Sequence, residues 1–155
     1  MVAPINRPAA SSGDAVLDGA PLAERGVDLL RDLAMFMLQF GQLDQADELL
    51  GGLIAVEPDG YATHMLTGML AFGDKRYRDA EVAYRRMLEK YPDDPGTHAY
   101  VAEAIFAQRR PREALGLLEQ AEQVGAPDDP GLDYVRALRE DYEKGTLQKR
   151  IFGGG

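Results

Sequence analysis

The residues best suited to chemistry are two histidines, His64 and His98, and two aspartate pairs, Asp93–Asp94 and Asp128–Asp129. The histidines lie thirty-four residues apart, at the same point of two successive segments. On neighbouring helices they would be separated by about 8–10 Å, whereas a shared ion needs both ring nitrogens within about 2.1 Å. Packing is the expected role. Each aspartate pair sits in the motif Pro-Asp-Asp-Pro, at 92–95 and 127–130. Asp94 and Asp129 are placed to cap a following helix, with Pro95 and Pro130 in its first turn. Neither loop has the ligand count or glycine spacing of a calcium site. The chain has no cysteine, which excludes thiolate catalysis, disulfides and cysteine-based zinc sites. No GxSxG, glycine-rich phosphate loop or HExxH occurs. The sequence therefore predicts no catalytic residue, no metal and no cofactor.

What would position these residues is a repeat. In Tyr61–Pro92 the residues Gly68, Tyr77, Ala80, Tyr84 and Pro92 punctuate what reads as two helices joined by a turn at Gly73–Arg76. A shift of thirty-four residues carries Ala80 to Ala46 and Ala114, Gly68 to Ala34 and Ala102, and Tyr84 to Leu50 and Leu118. Pro92 maps back to Pro58; forward, Pro127 arrives one residue late. These spacings resemble the tetratricopeptide repeat (TPR), a helical hairpin with small residues at positions 8 and 20 and bulky ones at 17 and 24. Small residues let two helices approach, and a bulky one plugs the gap to the next hairpin. The resemblance implies an all-α, right-handed α-solenoid of three repeats, at about 27–60, 61–94 and 95–128. One hairpin cannot bury its apolar face alone, so about three are needed.

Around the repeats, residues 1–20 read as a flexible arm, rich in proline and serine at its start. The run from Pro21 to Phe40 forms a lead-in helix fused to the first repeat. A last helix over 131–144 has an apolar and a charged side, as an end-cap requires. Thr146–Gly155 reads as a flexible tail. The single domain is thus expected over 21–145. A net charge of −9 argues against nucleic acid, whose binding needs a basic stripe. No apolar run reaches the length of a membrane span, and the cytosol is the expected compartment.

In a TPR stack the first helix of each hairpin lines the concave side. Transferred here, the lining comprises Arg31, Met35 and Leu38, then Met65, Leu66, Met69 and Phe72, then Tyr100, Glu103 and Phe106. Most are apolar. A groove built to clamp a C-terminal carboxylate uses Lys, Asn and Arg instead; only Arg31 fits, and Met35 stands where the Asn would be. Large apolar patches mark binding sites, and methionine gives a deformable lining. The occupant is a partner peptide, the chain's own residues 1–24 or a second copy. The third repeat, His98–Ala104 with Ala114 and Leu117–Ala121, resembles the TPR chaperones of bacterial type III secretion, above all the class II chaperones of translocator subunits. That resemblance implies a cytoplasmic protein that holds an extended hydrophobic segment of a translocator or needle subunit, with the lead-in helix as a homodimer element. A general TPR scaffold acting through self-association or another protein partner is the alternative.

Overall fold

The computed structural model describes residues 22–153. Expectations for residues 1–20 lie outside that range. Among the described residues there are eight helices and no strand: α1 (Leu22–Gln39), α2 (Leu43–Val56), α3 (Tyr61–Gly73), α4 (Tyr77–Lys90), α5 (Pro95–Ala107), α6 (Pro111–Val124), α7 (Gly131–Glu143) and α8 (Leu147–Phe152). They pair in chain order, α1 with α2, α3 with α4 and α5 with α6, and each pair packs on the next. The lead-in is the first turn of α1, which at 18 residues exceeds the 13 of α3 and α5.

One turn recurs. Gly41, Lys75, Arg109 and Gly145 each take positive φ, between 61° and 69°. After each, the next amide reaches back five residues: Gln42 to Met37, Arg76 to Ala71, Arg110 to Ile105 and Thr146 to Asp141. This left-handed cap satisfies the last helical carbonyls and reverses the chain. Its fourth occurrence makes α7 and α8 a shortened fourth hairpin.

The repeat positions explain the packing. Ala34, Ala46, Ala80, Ala102 and Ala114 are all at most 2% exposed. A Cβ added to Gly68 would lie 2.2 Å from a ring carbon of Tyr84, which is itself buried, so that hairpin takes glycine opposite tyrosine. The other two repeats carry Ala34 with Leu50 and Ala102 with Leu118, a larger residue facing a smaller one. One core cluster unites α1, α2 and α3 through Leu50, Leu53, Leu66 and Leu70. A larger one runs from α3 to α8. Each fully buried Leu contributes about 1.5–3 kcal/mol.

The second and third hairpins are also pinned by charge. Glu81 on α4 is 8% exposed and accepts hydrogen bonds from Arg85 Nε (2.8 Å), Gln108 Nε2 (2.7 Å) and Arg110 Nη1 (2.7 Å). Burial alone would raise its pKa, but these donors outweigh burial and hold the carboxyl below its ordinary value. At the next junction Asp94 accepts from the Gly96 amide at 3.1 Å and from Thr97 Oγ1 at 2.5 Å, and Asp129 accepts from the Gly131 amide at 2.8 Å. Asp94 caps α5 with Pro95 in its first turn, as expected; Pro130 instead occupies the N-cap of α7, one residue before the helix, and Asp129 reaches past it to the first helical amide.

The tail departs from the sequence reading. Leu147–Phe152 is helical, Leu147 is 3% exposed and Ile151 packs on the core. Arg150 holds Asp141 at 2.8 Å and Glu103 at 3.4 Å. Six residues are too few for a helical period to show, and the spacing has drifted by two residues from the thirty-four of earlier turns, from Arg109 to Gly145.

Candidate peptide-binding face

Helices α1, α3 and α5 carry the expected lining residues at equivalent turns, so residues thirty-four apart lie on the same face. Their surroundings differ. On α1, Met35 and Leu38 are half-buried, resting on the first core cluster. Arg31 is held by Asp28 at 2.7 Å and Asp32 at 3.0 Å. On α3, Met65, Met69 and Phe72 are half-buried against the second cluster, and the ring of Phe72 meets that of Tyr77 edge-on at 5.0 Å. Leu66, expected on the lining, is 1% exposed and belongs to the core beneath it. Leu66 turns inward, joining Leu50 and Leu53 of α2 in the first core cluster.

At the start of this face, where α1 passes the loop between α2 and α3, lies an open trough of about 880 Å³. Val27, Val56, Tyr61, Met65 and Tyr91 give it apolar walls, and Arg31 borders it. The rings of Tyr61 and Tyr91 stand edge to face at 5.1 Å. Burial, foremost, pushes the Tyr61 phenol up to about 12, so it stays a donor, here to Asp94 at 3.3 Å.

The far end is covered by the chain itself. Tyr100 lies between the rings of Tyr84 and Tyr134, each at 5.3 Å. Glu103 accepts a hydrogen bond from the Tyr134 hydroxyl and faces Arg150. Burial pushes the Glu103 carboxyl up, against the lowering effect of Tyr134 and Arg150. Phe106 is 6% exposed, stacked on Tyr142 at 5.1 Å. Beside it α8 borders a cavity of about 370 Å³, where Phe152, partly exposed, meets Tyr77 at 6.0 Å and sits under the Arg109 guanidinium at 5.3 Å.

Sequence reasoning did not assign to this face Tyr134 on α7 or Arg150 and Phe152 on α8. It also missed a second apolar surface along α1 and the turn after it, where Leu29, Phe36 and Phe40 are 68%, 52% and 64% exposed. Leu33 shares it, and the spacing of four, three and four residues was legible as a helical stripe. The histidines do not meet a common partner: His64 Nε2 is 3.7 Å from Asp59, while His98 Nδ1 is 3.0 Å from the backbone oxygen of Asp94. Burial, with Lys90 and Arg86 nearby, lowers the His64 pKa. Among the described residues no three His, Asp or Glu side chains cluster as metal ligands, and no helix is long and apolar enough to cross a membrane.

A tetratricopeptide-repeat family model matches residues 71–138. A TPR repeat-containing protein of Picosynechococcus sp. is 33% identical over 92 residues, which cover 58% of this chain and 24% of the relative. The chain thus spans about a quarter of that protein's length. No solved structure matches. TPR modules are in general non-catalytic scaffolds that bind protein partners. With its paired helices and recurring turn, the chain has the all-α fold of a TPR solenoid.

Proposed function

We propose that the chain is a non-catalytic module that holds an extended hydrophobic segment of another protein along the face of α1 and α3. The observation that carries this is the row of half-buried Met35, Leu38, Met65, Met69 and Phe72 leading from the open trough. Methionine side chains repack around varied guests. Three or four anchors of Leu or Phe size, at about 1.5–3 kcal/mol each, reach micromolar affinity, roughly −8 kcal/mol, after the guest's ordering cost. The resemblance of the third repeat to the type III secretion chaperones supports the specific role: a cytoplasmic chaperone that keeps a translocator or needle subunit unaggregated before export. The test is co-expression with such a subunit. Met69→Asp or Phe72→Asp is expected to abolish co-purification with far-UV circular dichroism unchanged; a client retained by both variants places binding elsewhere.

A second reading, a self-associating scaffold, is favoured by the outer stripe of α1. Leu29, Leu33, Phe36 and Phe40 follow the alternating three- and four-residue spacing of a helix seam, and a solenoid end ordinarily presents a polar face. Sedimentation of the wild type against Phe36→Asp decides it: a dimer that Phe36→Asp splits supports self-association, and a dilute wild-type monomer removes it.

A further inference from the structure

We infer that the open trough takes a cationic segment anchored by large apolar side chains; this rests on the peptide-holding reading above and narrows its guest. Two independent observations carry it.

The first is the charge around the apolar walls. Glu24, Asp28, Glu57 and Asp59 all border the trough. The cations there are fewer and engaged. Arg31 is tied to Asp28 and Asp32, and the Lys90 ammonium donates to the backbone oxygen of Asp59 at 2.5 Å. His64, beside Asp59, is buried next to Lys90 and Arg86, which favours its neutral form. Carboxylates therefore outnumber available cations, and an acidic guest would meet like charge while it lost water. Tyr61 and Tyr91 add aromatic surfaces on which a guanidinium or ammonium can rest.

The second is the guest the same face already holds. Glu103 and Phe106 are the thirty-four-residue equivalents of Met69 and Phe72, and α8 covers them with the sequence Lys149-Arg150-Ile151-Phe152. Arg150 faces Glu103 and Asp141 and lies 5.8 Å over the Tyr134 ring, while Ile151 packs on the core and Phe152 on Tyr77. A cation set on carboxylates and a tyrosine, followed by an aliphatic and an aromatic anchor, is how this face is filled in cis. The open end offers the same elements: carboxylates, tyrosines and an apolar floor.

The test uses the full chain and two fluorescein-labelled peptides with common anchors, GLKRIFKG and GLEDIFEG, followed by fluorescence anisotropy. The cationic peptide is expected to bind at least about tenfold more tightly at low salt, with the advantage shrinking as screening rises. The double variant Glu57→Lys/Asp59→Lys, with unchanged circular dichroism, is expected to erase the preference. Equal binding of both peptides overturns the charge assignment and leaves the peptide-holding reading standing. Binding of neither overturns both. A preference that survives the double variant places the cationic site away from the trough and also overturns the inference.

Discussion

Phe72 and Phe106 occupy the same position of successive repeats, yet they have different surroundings. Phe72 is half-buried on α3, edge-on to Tyr77, whereas Phe106 is buried beneath Tyr142 and lines the cavity beside α8. The repeat alone makes no distinction between them. What differs is the hairpin that follows: after α3 and α4 the chain continues with a full hairpin, and after α5 and α6 with a shortened one whose second helix folds back. One end of the face is therefore spent on stability and the other is left for a guest.

The largest expected effect breaks that contrast directly. Phe106→Ala is expected to cost about 3–5 kcal/mol, the range for a buried aromatic, measured by urea denaturation. Phe72→Ala is expected to cost less than half of that and to weaken peptide capture instead. Equal losses would erase the distinction between the two ends. Next, a chain ending at Lys144 is expected to lose about 1.5–3 kcal/mol through Leu147 alone, and to bind a hydrophobic dye more strongly because the Phe106 cavity opens. An unchanged dye signal would show that α8 does not cover that end.

Acid separates the pinned joint from the covered end. The Glu81 carboxyl sits below its ordinary value of 4.5. Its contribution is therefore full above that value and is lost as the pH falls through the lowered one, because the unfolded chain binds the proton first. Glu103 sits above 4.5. Its contribution is present below that value and is lost as the pH rises through the raised one. Stability measured against pH is thus expected to lose its acid-side slope in Glu81→Gln and to lose the opposing slope in Glu103→Gln. Parallel curves for the two variants would remove the difference. The smallest effect concerns the turns: Lys75→Gly, at φ 62°, is expected to stabilise by about 0.5–1 kcal/mol by relieving a left-handed side chain. Gly41→Ala, at φ 69°, is expected to do the reverse, both read from the unfolding midpoint.

Much of the architecture was legible because it is periodic. Ala46, Ala80 and Ala114 mark the second helix of each hairpin, and Asp94 and Asp129 mark helix starts by a capping chemistry that acts over two or three residues. The lining was less legible. A position in a repeat specifies a face of a helix, but Leu66 and Met69, three residues apart, divide between core and surface according to how the helices of neighbouring hairpins lean on one another. The α8 segment was missed because its stability comes from Glu103, Asp141, Tyr77 and the core, contacts distant in sequence, and its own six residues carry too little pattern.

The order of amino acids by itself determined the helical hairpins, their turns, the small and large partners inside each, and the absence of cysteine chemistry, since all of these depend on residue types at short or fixed separations. Only the tertiary structure decided which part of the shared face stays open. That choice rests on long-range burial: Phe106 and Glu103 lose their solvent to Tyr142, Tyr134 and Arg150, while Met65 and its neighbours keep theirs beside the trough.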